Sequence, residues 1–308
     1  MSQEIYKKQV ELLLKVLPEV AKEDNFALHG GTAINLFIRN MPRLSVDLDL
    51  TYIPIMPRTK TLEDISTALK EIQKNISKVL PKAQIEHKEN IGKLIISLLG
   101  TKIKIEVNLV GRGLITEPKK HVLCQKAQKD YDAFAAIKIV PLGQLYGGKI
   151  CAALDRQHPR DLFDVQYLLE NEGFSAEIKA GFILNLISSD RPIHEMLTPN
   201  FLNQRKTMEN QFIGMTNYSF TYDDFEETRK RLIKIVNNSL TPIDKDFLLS
   251  IKKLVPNWSI YDFQKFPAVL WKLQNIEKLK RSNPGKYQKQ CSLLEKRLES
   301  RIDQAESS

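Results

Sequence analysis

Residues 26–52, FALHGGTAINLFIRNMPRLSVDLDLTY, constrain the fold more than any other part of the chain. Phe26-Ala27-Leu28 is a short apolar run and Gly30-Gly31-Thr32 a turn; Ala33 to Arg39 is a brief helical pattern and Val46 to Leu50 a buried strand. Side chains alternate across a strand, so Asp47 and Asp49 share one face while Val46, Leu48 and Leu50 take the other. Two neighbouring carboxylates repel, and without a cation one of them would take up a proton. A divalent metal removes that conflict, and Mg²⁺ favours carboxylate oxygens combined with substrate phosphates. The glycine turn supplies a matching anion site. Its backbone can approach a ligand closely, Thr32 is placed to cap the helix starting at Ala33, and the helix N-terminus favours phosphate.

The rest of the chain builds around this stretch. Val10, Leu13, Leu14, Leu17 and Val20 predict a leading helix over Ile5 to Lys22, and Leu62 to Leu80 a second amphipathic helix. Ala83–His87, Lys93–Leu99 and Lys102–Val110 read as strands, the last two forming a hairpin about Gly100-Thr101. In the third strand Ile103, Ile105, Val107 and Leu109 alternate with Lys102, Lys104, Glu106 and Asn108. If it lies beside the Asp-Leu-Asp strand, Glu106 joins Asp47 and Asp49 on the polar face; otherwise it is a solvent-facing residue paired with a lysine. Thr116 to Asp130 reads as a loop with some helix, and Ala135 to Val140 as a strand. Helices follow from Pro141 and from Pro159, the first carrying Lys149 and the second opening on Arg160, Asp161 and Asp164. The reading stays helical to the end, where Lys278, Lys280, Arg281, Lys286, Lys289, Lys296, Arg297 and Arg301 make either a surface for RNA or a solvated face.

Composition narrows the class. The 308 residues, 42% hydrophobic and 27% charged, can build two ordinary globular domains. No apolar run reaches the roughly 20 residues of a membrane span, and the N-terminus lacks a signal-peptide pattern. Cys124, Cys151 and Cys291 are scattered, which argues against a disulfide framework or zinc site and for a reducing, cytoplasmic setting. The formal charge of +9 favours a polyanionic partner.

Gly30-Gly31-Thr32 followed by Arg43-Leu-Ser45-Val-Asp47-Leu-Asp49-Leu resembles the first motif of the AbiEii/AbiGii toxin family of nucleotidyltransferases, in the DNA polymerase β-like superfamily. Glu106 on an alternating strand, the Lys149 helix, Arg160-Asp161-Leu-Phe-Asp164 and Phe266-Pro-Ala-Val-Leu-Trp271 also resemble family elements. The resemblance implies an α+β fold: a mixed sheet flanked by helices over residues 1–140, and a helical domain over 141–308 that completes the active site and offers a basic acceptor surface. It implies a toxin of a type IV toxin–antitoxin or abortive-infection system, moving a nucleotidyl group from a nucleoside triphosphate to RNA, above all the tRNA 3′ end. Mg²⁺ or Mn²⁺ would be held by Asp47, Asp49 and Glu106 converging from neighbouring strands. Gly30, Gly31, Thr32, Arg43 and Ser45 would bind phosphate, Lys149 would neutralise the triphosphate, and Asp161 would contact nucleotide or metal, with Asp164 structural. A cognate antitoxin is the implied protein partner of a monomer. A small-molecule hydroxyl acceptor and a catalytically inactive nucleotide- or RNA-binding module stay open as alternatives.

Overall fold

The computed structural model describes residues 3–299. The chain forms two compact units: Met1–Pro141 with Thr207–Ser219, and Leu142–Lys206 with Phe220–Ser308. The first break between the units falls after Pro141. The return of Thr207–Ser219 to the first unit is not visible in apolar periodicity. It is fixed by an isolated β-bridge between Arg43 and Thr216 and by Leu44 N donating to Met215 O at 2.7 Å.

The first unit is built on a seven-stranded mixed sheet. Its strands are β1 (Phe26–His29), β2 (Asp47–Tyr52), β3 (Gln84–Lys88), β4 (Lys93–Leu98), β5 (Thr101–Asn108), β6 (Lys119–Val122) and β7 (Ala136–Ile139), in the order β3-β4-β5-β2-β1-β7-β6. Strand β2 is antiparallel to β1 and parallel to β5, which places the carboxylate strand in the interior of the sheet. Leu48 and Leu50 sit in register with Ile105 and Val107, and all four are at most 4% exposed. Burying each such side chain stabilises the fold by about 1.5–3 kcal/mol. Helices α1 (Gln3–Val20) and α3 (Arg58–Val79) pack on the sheet, with Val10, Leu13, Leu17, Ile65, Leu69 and Ile72 fully inside. The predicted β4–β5 hairpin is present. Leu99 and Gly100 both have positive φ, 48° and 79°, as a tight two-residue turn requires.

Thr116 to Asp130 departs from the loop reading. Strand β6 pairs antiparallel with β7 at the sheet edge, and α4 (Gln125–Tyr131) follows. Lys119-Lys120-His121-Val122 has no apolar alternation because an edge strand with two exposed lysines needs none, and lysine there blocks further pairing.

The second unit is helical: α5 (Leu142–Asp155), α6 (Pro159–Asn171), α7 (Ala176–Leu186), α8 (Ile193–Leu197), then α10 (Tyr222–Ser239), α11 (Pro242–Lys252), α12 (Pro267–Ser282) and α13 (Pro284–Glu299); α9 (Arg205–Gln211), between α8 and α10 in the chain, lies mostly in the Thr207–Ser219 segment of the first unit. Thr221 and Thr241 each close a capping box with Asp224 and Asp244. No helix among the described residues is long and apolar enough to cross a membrane. Arg301, the last member of the basic tail, lies outside the described residues.

Helix α5, which carries Lys149, meets α7 backbone to backbone through glycines. A Cβ on Gly181 would lie 1.9 Å from Gly143 O, whereas one on Gly148 would meet nothing closer than Asn185 Oδ1 at 3.4 Å. Gly181→Ala is therefore expected to lower stability by about 1–3 kcal/mol through overpacking. Gly148→Ala is expected to leave it unchanged or raise it by up to about 1 kcal/mol through helix propensity. Urea denaturation of the two variants checks the difference in sign.

Candidate active site

Asp47, Asp49 and Thr51 leave one face of β2, and register places Lys104, Glu106 and Asn108 of β5 beside them in that order. On the other side His29 of β1 is the register partner of Asp49, and its Nδ1 lies 3.0 Å from Thr51 Oγ1. Asp47 and Asp49 are half-buried. The polar face anticipated from alternation is therefore present, flanked by Lys104 next to Asp47 and Glu106 next to Asp49.

Three carboxylates do not converge, however. Among the described residues no three His, Cys, Asp or Glu side chains are gathered as a ligand set. Lys93, in register with Glu106 on β4, holds that carboxylate at 2.5 Å, so Glu106 shares the face of Asp47 and Asp49 and is at the same time paired with a lysine. The remaining pair still fits a magnesium ion, which is commonly held by one or two carboxylates and completed by phosphate oxygens and water.

The glycine turn abuts this pair. Gly30 has φ +74°, a left-handed conformation open mainly to glycine, and a Cβ there would stand 2.4 Å from Asp49 Oδ2. A Cβ on Gly31 would lie 2.7 Å from Arg43 Nη2 and 3.0 Å from Ser45 Oγ. Gly30, Gly31, Arg43, Ser45 and Asp49 thus form one continuous patch. Arg43 is 3% exposed and its Nη1 donates to Leu44 O at 2.9 Å.

Thr32 behaves differently from its predicted capping role. The helical turn α2 already begins at Gly30, with His29 before it and no side-chain cap, and it runs into a π-helical turn over Ile34–Ile38. The Thr32 hydroxyl is fully buried, 2.5 Å from Asp47 O and 3.0 Å from Ser45 Oγ. It ties the turn to the start of β2 and so positions the carboxylates. Asn35 Nδ2 adds a 3.0 Å bond to Gly31 O.

In the second unit Lys149 lies on α5 and is 6% exposed. Its ammonium lies 2.7 Å from Asp161 Oδ1 and 3.0 Å from Asp164 Oδ2. Arg156 grips Asp161 from outside, Nε to Oδ2 at 2.6 Å and Nη2 to Oδ1 at 3.1 Å. Lys149 is thus neutralised by acids of its own unit rather than being a free cation. Asp161 sits in the first turn of α6, after Pro159 and a His158 cap, where the helix end favours negative charge. Burial pushes its carboxyl up, but Lys149 and Arg156 outweigh burial and hold it well below the usual carboxylate range.

Sequence reasoning missed His29, Lys93 and Arg156. Register on the sheet would have exposed Lys93, and the five-residue spacing from Arg156 to Asp161 across a helix break carries no periodic signal.

Two outcomes test this geometry. Gly30→Ala is expected to force the turn and the Asp49 carboxylate apart and to lower stability by about 1–3 kcal/mol, which urea denaturation checks. Asp161→Asn leaves two cations short of charge and is expected to cost about 3–5 kcal/mol at pH 7. Because the folded pKa of Asp161 is depressed, its contribution is complete above the unfolded value of about 4 and is lost as pH falls below it. Urea titrations of wild type and variant should therefore converge only in acid.

A family model described as nucleotidyl transferase AbiEii toxin, type IV toxin–antitoxin system, matches residues 11–255. None of the curated proteins compared matches the chain. Among solved structures, MenT4, a nucleotidyltransferase toxin of Mycobacterium tuberculosis H37Rv, is similar with a TM-score of 0.62 and 13% identity, over 88% of this chain and 93% of that one. At that identity the likeness is one of fold. The family match spans most of the sequence and includes the glycine turn, both aspartates of β2 and the Lys149–Asp161 pair: the chain belongs to the AbiEii family of nucleotidyltransferase toxins of type IV toxin–antitoxin systems.

Proposed function

We propose that this nucleotidyltransferase moves a nucleotidyl group from a nucleoside triphosphate to the 3′ hydroxyl of an RNA, with tRNA as acceptor, in a Mg²⁺- or Mn²⁺-dependent reaction. The observation that carries the proposal is the contact of the bare Gly30 backbone with Asp49, two strand positions from Asp47 on the same face. Asp47 and Asp49 hold the ion. Bound there, it supplies charge neutralisation at the triphosphate oxygens and lowers the pKa of the attacking hydroxyl.

This chain's residues do the rest. Backbone N–H groups of Gly30 and Gly31 and the Arg43 guanidinium bind the triphosphate tail, and the Ser45 hydroxyl lies against the same turn. Thr32 and Asn35 keep that turn in place. The acceptor oxygen forms a bond to the α-phosphorus as the bond to the bridging oxygen breaks, and pyrophosphate leaves. Glu106, poised by Lys93, is assigned to orient the acceptor hydroxyl and take its proton. Lys149 and Asp161, buried and paired with each other inside the second unit, are assigned to holding α5 against α6.

The charge of +9 and the exposed Lys278, Lys280, Arg281, Lys286, Lys289 and Lys296 of α12 and α13 support a nucleic-acid acceptor. The setting we propose is the cytoplasm, with the toxin held in check by a cognate antitoxin.

Purified protein with α-labelled nucleoside triphosphates, Mg²⁺ and total tRNA is expected to yield RNA labelled at its 3′ ends. Asp47→Asn and chelation by EDTA are each expected to abolish the label without unfolding the chain. Label appearing only on a small hydroxyl compound would replace RNA as the acceptor. Undiminished labelling by the Asp47 variant would remove the metal site from the account.

A further inference from the structure

Helices α8, α11, α12 and α13 of the second unit line an open-sided cavity of about 120 Å³. Its wall carries Lys252 from the end of α11 and Lys272 from α12, together with His194, Asn275 and Gln290. Both lysines are buried, at 6% and 7% exposure. Lys272 Nζ donates to Ser189 O at 2.5 Å and Arg191 O at 2.7 Å; Lys252 Nζ donates to Gln290 Oε1 at 2.7 Å and lies 5.1 Å from the centre of the Tyr287 ring. All of these acceptors are neutral.

Among the described residues neither ammonium has a carboxylate within ion-pair reach. Asp190 on the cavity wall and Glu195 beside it are exposed and bond to neither lysine. Keeping one buried ammonium without a counter-charge is costly, and keeping two on one cavity adds repulsion. Burial and the neighbouring Lys252 push Lys272 down to about 8, and burial also lowers Lys252. Each ammonium has three donors. Lys272 uses two and Lys252 one, so N–H groups remain for an anion.

We propose that this cavity is a binding site for one phosphate group, seated between the ammoniums of Lys252 and Lys272. Its volume lies well below the roughly 300 Å³ at which pockets begin to enclose drug-sized molecules. It therefore admits the phosphate group and leaves any nucleoside outside. Lys252 and His194 lie within the family match, which ends at residue 255, and Lys272, Asn275 and Gln290 lie beyond it, so the site is completed by residues outside the matched segment. It also shares no residue with the Lys149 cluster.

Isothermal titration of the full chain in EDTA, which silences metal-dependent nucleotide binding, tests the proposal. Inorganic phosphate and adenosine monophosphate serve as separate probes. Wild type is expected to bind inorganic phosphate saturably, one per chain. Lys252→Met and Lys272→Met, which keep the stem and remove the charge, are each expected to weaken it at least tenfold, with Lys230→Met on the exposed side of α10 unchanged. A melting temperature at or above that of wild type shows that the methionine variants fold, since removing an unpaired buried charge relieves the fold. Monophosphate binding of equal strength identifies the phosphoryl end of a nucleotide as the ligand; binding of inorganic phosphate alone identifies the free anion. No saturable phosphate binding by wild type, or equal binding by both methionine variants, overturns the site.

Discussion

The fit of a residue without a side chain against a carboxylate governs the first unit. Gly30 can adopt φ +74° and approach Asp49 only because it carries no Cβ. That approach requires β1 and β2 to be antiparallel neighbours in one register, with His29 opposite Asp49. Register in turn requires Leu28 and Leu50 to be buried together, which they are, with no exposure. A slip by one residue would send Asp47 and Asp49 into the core and expose Leu48. The apolar packing and the chemistry are thus secured by the same alternation.

The second unit solves a different electrostatic problem. Lys149 reaches both Asp161 and Asp164, and with Arg156 it holds the Asp161 carboxyl well below the usual carboxylate range against the cost of burial. The α5–α7 glycine contact sets where Lys149 emerges along its helix, and the Pro159 and His158 start of α6 sets where Asp161 does. Lys252 and Lys272 stand in contrast, because charge there is left open.

Much of this was legible in the chain. Alternation on β2 and β5 put Asp47, Asp49 and Glu106 on one face, and the parallel pairing of those strands bears that out. The β4–β5 turn and the Pro141 and Pro159 helix starts were readable because glycine and proline act locally. What escaped depends on pairing between distant residues. The Thr32 hydroxyl turns to Asp47 O fifteen positions away, and Lys93 reaches Glu106 only through the sheet. Lys149 meets Asp161 and Asp164 only because α5 and α6 pack together, and β6 had no pattern because an edge strand needs no buried face. The family resemblance contributed the reaction class, which no spacing of residues specifies.

The claim beneath the account is that Asp47 and Asp49 hold the catalytic ion beside the glycine turn. A crystal structure with Mn²⁺ and a non-hydrolysable nucleoside triphosphate measures it directly, through the anomalous signal of the metal. The account predicts a peak about 2.0–2.2 Å from oxygens of both aspartates, with the triphosphate tail on the amides of Gly30 and Gly31. A metal and triphosphate bound away from β2, or a metal touching neither aspartate, would contradict it.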